Sequence, residues 1–342
     1  MSSSNSKWKL SSMGAFLLEP SYRIVDGVTP DSEKRLIPNG ELSREMLKFS
    51  FGNGVSMRVS PIGCFLFDFA EDSSANFTGA GDQESHIKSR MRFMNLFLVS
   101  LYTEMLRNSK PANEKMYVDD LSYIAAAQDS GLHPLFGKMD SSVHHRKTDA
   151  TKWFSSLKLN VELVERAATK ADEANQKHGL NARTQADFLL QAFSLFQRHH
   201  NETAHVVSWA IIEYCVNFIW SSFLDESAGV NALEGDVKFL NSERRQKLTG
   251  RDFSISTITE VLSLNGKIDF ETYCELNRVR GHRNRWLHKM TPIPSVDACA
   301  ALNLSVRLLR LTQLLDVEFF IPSIWSPLVS LERTEQEKVS PL

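Results

Sequence analysis

The sequence predicts an α+β module followed by an all-α helical bundle. Three observations carry this. Residues 14 to about 80 hold short stretches in which apolar and polar residues alternate with period two, as half-buried strands require. From about residue 150 that alternation fades, and apolar residues recur three and four apart over long segments, as on one face of an α-helix. Between the two textures lies "GKMDSSVHHRKTDA" (137–150), a polar stretch that follows the turn-like "GLHPLFG". The domain boundary is therefore expected near residue 145, giving an α+β module over 1–145, a helical domain over 146–330 and a solvated tail over 331–342.

The strand pattern appears in "SYRIVDGV", "LKFSF", "VSMRV" and "CFLFDF", which together predict a small antiparallel sheet. Asn53-Gly54 between two of these runs predicts a tight hairpin turn, because both residues tolerate positive φ. "AEDSSANFTGAGDQES" (70–85) has no period and reads as a loop. It leads into "HIKSRMRFMNLFLVSLYTEML", whose apolar spacing is helical. Further helices are expected over 150–178, 183–200, 203–224, 255–264, 269–289 and 295–316. The Phe and Leu stripes of 86–107 and 183–197 read as core. No internal repeat is visible.

Composition narrows the functional classes. With 342 residues, 42% hydrophobic and 23% charged, each half can bury a core. The four cysteines, Cys64, Cys215, Cys274 and Cys299, form neither a disulfide framework nor a CxxC pair, which fits a reducing, cytoplasmic setting. The opening "MSSSNSKWKLSSMG" lacks the apolar region of a secretion signal. No apolar run approaches the roughly 18 residues of a membrane span, so no membrane is expected. A formal net charge of -2 argues against a general nucleic-acid coat protein, so any nucleic-acid contact must be local. The pairs His144-His145 and His199-His200 suggest a metal site only superficially. Adjacent helical residues point about 100° apart, and no carboxylate or cysteine cluster joins them. No Gly-rich phosphate loop, nucleophile triad or zinc spacing is present, so no metal and no cofactor are expected.

The concentration of chemistry is at "RGHRNRWLH" (280–288), with three arginines, two histidines, an asparagine and a tryptophan. On a helical wheel Tyr273, Leu276, Val279 and Leu287 form one apolar stripe, and Arg283 falls inside it. Asn284 and His288 are four residues apart and share a face. Arg280 lies nearby, and Arg278, Arg285 and Lys289 are expected to spread around the rest. An arginine facing a packed interior needs a partner or a wet pocket. Glu213, the only charged residue of the largely apolar "VVSWAIIEYCVNFIWSSFL" (206–224), is the candidate partner, unless it reaches solvent at a gap in the bundle. Trp286 reads as core in preference to a base-stacking platform.

These residues carry a family resemblance. Arg283-Asn284-Arg285-Trp286-Leu287-His288 resembles the R-x4-6-H motif of the HEPN superfamily (higher eukaryotes and prokaryotes nucleotide-binding). Residues 244–289 also follow the order usual there, a short helix ending at a glycine and then a long helix approaching the motif. Glu213 matches a polar position often found on the first core helix. The resemblance covers about residues 183–320 and departs from the pattern in its extra basic load, with His282 and Arg285 flanking the motif, so which histidine matters most stays open. The N-terminal half resembles no family we can name.

The resemblance implies a metal-independent endoribonuclease that leaves a cyclic phosphate, or a noncatalytic adaptor binding nucleic acid or a partner protein through the same helix. Attack by the 2'-hydroxyl of RNA needs a proton mover and a cation at the phosphate. Histidine, with an unperturbed pKa of about 6.5, suits the first role and arginine the second. On this reading His288 is the acid or base, Arg283 the phosphate clamp and Asn284 an orienting group, with Glu213 completing the site. Arg280, His282, Arg285 and Lys289 guide the RNA. Because Arg283 and His288 lie about 140° apart around the helix, a homodimer is expected to complete the site. The resemblance to HEPN toxins and abortive-infection effectors further implies a regulated prokaryotic defence role, with a trigger bound by the N-terminal module.

Overall fold

A computed structural model of the chain describes residues 13–17, 23–25, 45–61, 63–69, 80–108, 124–126, 158–230, 242–250 and 253–318. By their contacts the residues form two compact units, Met1–Asp187 and Phe188–Leu342. The boundary expected near residue 145, the pair His144-His145 and the tail fall outside the described residues.

The first unit is built on a five-stranded antiparallel sheet. Its strands are β1 (Met13–Leu17), β3 (Leu47–Ser50), β4 (Ser56–Val59), β5 (Cys64–Asp68) and β6 (Ile124–Ala126), ordered β3-β4-β5-β1-β6. The register sets Phe16 opposite Phe65 and Met57 opposite Phe67. Phe16, Phe65 and Phe67 meet Phe93 and Phe97 of α1 (Ala80–Arg107), with ring centroids 5.2 to 6.5 Å apart. Aromatic side chains alternating out of the pleat and recurring at helical spacing thus form one core. A separate pair, β2 (Arg23–Val25) with β7 (Lys158–Asn160), is parallel. The antiparallel expectation holds for the larger sheet and fails for β2. The partner of β2 is more than a hundred residues away in sequence, which local alternation cannot reveal.

The hairpin also differs from expectation. Phe51 N–H donates to Val55 O at 2.8 Å and Gly54 N–H to Phe51 O at 3.1 Å, closing a three-residue loop around Gly52, Asn53 and Gly54. Gly54 has φ 81° and takes the left-handed position of this loop type. The Asn-Gly signal located the turn, and the extra Gly52 widened it. Gly52 N–H is held by the Asp172 carboxylate at 3.0 Å.

Asp172 lies on α2 (Val161–His178), which starts at an Asn160 side chain accepting from Glu162 N–H at 3.0 Å. The helix pattern expected from residue 150 therefore begins only after β7. Its buried face, Leu163, Val164, Ala167, Ala168 and Ala171, packs on α1. Between these helices sits Glu104, 4% exposed, with Lys170 at 2.6 Å, Arg166 at 3.1 Å and Arg107 at 3.4 Å. α3 (Leu180–Gln197) spans the division at Asp187. Buried Leu189, Leu190, Phe193 and Phe196 bear out its stripe as core.

The second unit centres on α4 (Asn201–Val230), against which α6 (Ile255–Leu264), α7 (Phe270–Lys289) and α8 (Ser295–Leu311) pack. A short α5 (Ser242–Leu248) precedes Gly250. Over Asn201–Glu226 α4 is long and apolar enough to cross a membrane, with mean hydropathy 1.3, which the sequence expectation had excluded. The central helix of a bundle passes the same test.

Candidate functional site

The site is assembled on α7 by signals at both of its ends. Asp269 caps its N-terminus, accepting from Thr272 N–H at 2.6 Å, and Glu271 sits in the first turn. At the other end His288 and Lys289 face the negative pole of the helix dipole. Met290 closes the helix with φ 52°. A short Pro-containing link then starts α8, placing Asp297 in its first turn, where a carboxylate is favoured.

Thr272, Leu276 and Val279 form the buried face of α7. Counted at about 100° per residue, Arg278, His282, Arg285 and Lys289 do not spread around the helix as expected but fall within about 60° of one another along a second face, about 16 Å long. His282 lies in the middle of this cationic stripe. Its Nδ1 is 3.4 Å from Asp297 Oδ2, and Arg278 Nη2 is 3.5 Å from Asp297 Oδ1. Asp297 is 6% exposed and the His282 side chain 21%. With Nδ1 toward the carboxylate, Nε2 is the ring nitrogen on the side away from Asp297. Burial lowers the His282 pKa, Arg285 and Arg278 push the same way, and Asp297 opposes them.

Behind this pair His205 of α4 is fully buried. Its Nε2 faces Val279 O at 3.0 Å and its Nδ1 faces Asp297 O at 3.3 Å, so the ring sits between the backbones of α7 and α8 and donates to one carbonyl when neutral and to both only when protonated. Burial lowers its pKa, although both carbonyls favour the protonated ring. The His205 and His282 rings lie 6.4 Å apart. Sequence reading missed His205 and Asp297. The signal available was His205 on a predominantly apolar central helix, where a polar group needs a reason.

The motif residues are arranged differently. Arg283 is half-buried, as the wheel required. Its Nη1 donates to Asn284 Oδ1 at 3.0 Å, and its Nε is buried without a hydrogen bond among the described residues. Glu213 does not pair with it. The Glu213 carboxylate accepts from the Trp209 indole at 3.0 Å, one turn back on α4, where it is half-buried. A partner four residues away on the same helix costs less ordering than one on another helix. His288 is exposed and lies on the side of α7 away from Arg283. Arg280 donates to Asn277 Oδ1 at 2.7 Å. Arg285 and Lys289 are exposed, and Arg285 reaches over Gly281. Trp286 is half-buried, neither core nor open platform. The structure thus brings His282, Arg278 and Asp297 together and keeps Arg283 and His288 of one chain apart.

Among the described residues no cluster of histidine, cysteine and carboxylate groups is arranged to hold a metal, and His199 and His200 are exposed. Of the four cysteines, only Cys274 is exposed, on α7 one turn before Arg278. Cys64, Cys215 and Cys299 are buried, and burial pushes the Cys215 thiol up to about 12. Comparison with family models, with curated proteins and with solved structures finds no match for this chain.

Proposed function

We propose that the second unit binds RNA along α7 and cleaves it without a metal ion, in the manner that the resemblance to HEPN ribonucleases implies. The observation that carries this reading is the imidazole of His282, with Nδ1 3.4 Å from the Asp297 carboxylate, within the stripe of Arg278, Arg285 and Lys289. A neutral imidazole with a depressed pKa accepts the 2'-hydroxyl proton near neutral pH. Guanidinium groups beside it take the charge that grows on the phosphate. His288, exposed at the end of α7, serves as the second proton carrier from another copy of the chain. Exposed Leu287 (43%) and Met290 (68%) beside it supply apolar surface for that copy. Within this reading the protein is a cytoplasmic, regulated effector of the toxin or abortive-infection kind. Binding without cleavage is the second reading, favoured by the separation of Arg283 from His288.

Labelled RNA incubated with the full chain, with and without excess chelator, tests the proposal. Cleavage should persist with chelator and leave a cyclic phosphate. His282→Ala and His288→Ala should each lower the rate by roughly 10²-fold or more. Retained RNA binding with no cleavage by the unmodified chain selects the second reading, and strict dependence on Mg²⁺ refutes the mechanism.

A further inference from the structure

The first unit contains a cleft of ≈ 190 Å³. The hairpin loop supplies Asn53 and Gly54, the end of β5 supplies Phe69, α1 supplies Ser89 and Arg90, and α3 supplies Arg183. Its two arginines come from different helices, and each is seated on a ring. The Arg90 guanidinium lies over Phe69 at 5.4 Å from the centroid, and that of Arg183 over Phe93 at 5.3 Å. Those two rings pack edge to face 6.0 Å apart, so the platforms brace each other. Arg183 Nε also donates to Asn175 Oδ1 at 2.6 Å, and Arg90 is only 1% exposed. Both cations are therefore held in place before a ligand arrives, which reduces the ordering cost of binding one.

We propose that this cleft binds a small phosphate-bearing ligand, with the phosphate between Arg90 and Arg183. A planar carboxylate is satisfied by one guanidinium fork, whereas a phosphate has enough oxygens to accept from two. Asn53 and Ser89 offer neutral hydrogen-bonding groups for the rest of the ligand, and Gly54 lets the loop backbone approach without a side chain. The rings already carry guanidinium groups on their faces, which leaves no platform for a nucleobase. The volume lies below the roughly 300–1,000 Å³ of pockets for drug-sized ligands, so the ligand is a free phosphate or a short phosphomonoester. The first unit then has its own ligand to respond to, independent of what α7 does.

Isothermal titration of the full chain at constant ionic strength tests this, with inorganic phosphate, ribose 5-phosphate and succinate as probes. Saturable binding of either phosphate compound, with succinate at least tenfold weaker, is expected. Tighter binding of ribose 5-phosphate identifies a phosphomonoester site, and equal or tighter binding of inorganic phosphate identifies a site for the free anion. Arg183→Gln should weaken binding at least tenfold. Ser89→Leu, which fills the cleft and leaves both charges, should do the same in a chain that melts as the unmodified one does. No saturable phosphate binding, succinate bound as tightly as phosphate, or undiminished binding in either folded variant overturns the assignment.

Discussion

Replacing Asp297 with asparagine keeps the side-chain volume and removes one charge from the centre of the α7 and α8 contact. The carboxylate lies 3.4 Å from His282 Nδ1 and 3.5 Å from Arg278 Nη2. Two unit charges about 4 Å apart interact by roughly 4 kcal/mol at an effective dielectric of about 20. Here that figure is an upper bound. Arg278 is 39% exposed and His282 carries full charge only when protonated, so the stability loss near neutral pH should be about 1 kcal/mol. Under the proposed function the effect on RNA cleavage should be larger. An asparagine no longer holds the imidazole by charge, and the cleavage rate should fall roughly 10²-fold, the scale of a misdirected general base. The pH profile gives the specific signature. Asp297 opposes the lowering of the His282 pKa, so its loss should move the His282 midpoint further down and the acid limb of the rate with it. Titrating the histidine resonances by NMR, alongside RNA cleavage from acidic to neutral pH, checks both. An unchanged His282 midpoint, or an unchanged rate in a folded variant, would refute the role given to the pair.

Three other outcomes follow from the same geometry. Glu104→Gln should destabilise the first unit by roughly 2 kcal/mol, below the value for a fully buried pair because Arg166 and Lys170 are partly exposed. Burial alone would raise the Glu104 pKa, but the bonds from Lys170 and Arg166 prevail and lower it. Its stabilisation is therefore present above about pH 4.5 and lost as the pH falls through the folded value, and thermal melts of both chains at pH 7 and pH 3 should converge in acid. Glu213→Ala should cost about 1 kcal/mol, the worth of the Trp209 hydrogen bond, and a loss above about 3 kcal/mol on chemical denaturation would restore a buried role for this carboxylate. If two copies share one site, cleavage per chain should fall on dilution as light scattering shows the dimer dissociating, and a monomer with undiminished activity would exclude the shared site.

What the sequence determined by itself was periodic and local. The phenylalanines of "CFLFDF" and of the helix after residue 86 announced a core because their spacing matches a pleat and a helix turn. α6 and α7 begin and end within a residue or two of expectation because Ser254 and Asp269 cap them from nearby in sequence. The cationic load of α7 was equally visible, as was the odd placement of Arg283 on its apolar side. Only the tertiary structure decided what those charges meet. Asp297 reaches His282 because a Pro-containing link turns α8 back along α7, and His205 sits between backbone carbonyls of both, which no residue pattern encodes. Glu213 found Trp209 on its own helix before any arginine from another. β1 entered the sheet beside β5, and β2 paired with β7, through contacts between residues far apart in sequence, whose closure cost and register leave no local trace. Short-range periodicity is written along the chain, whereas the pairing of distant polar groups depends on how the packed faces are brought together.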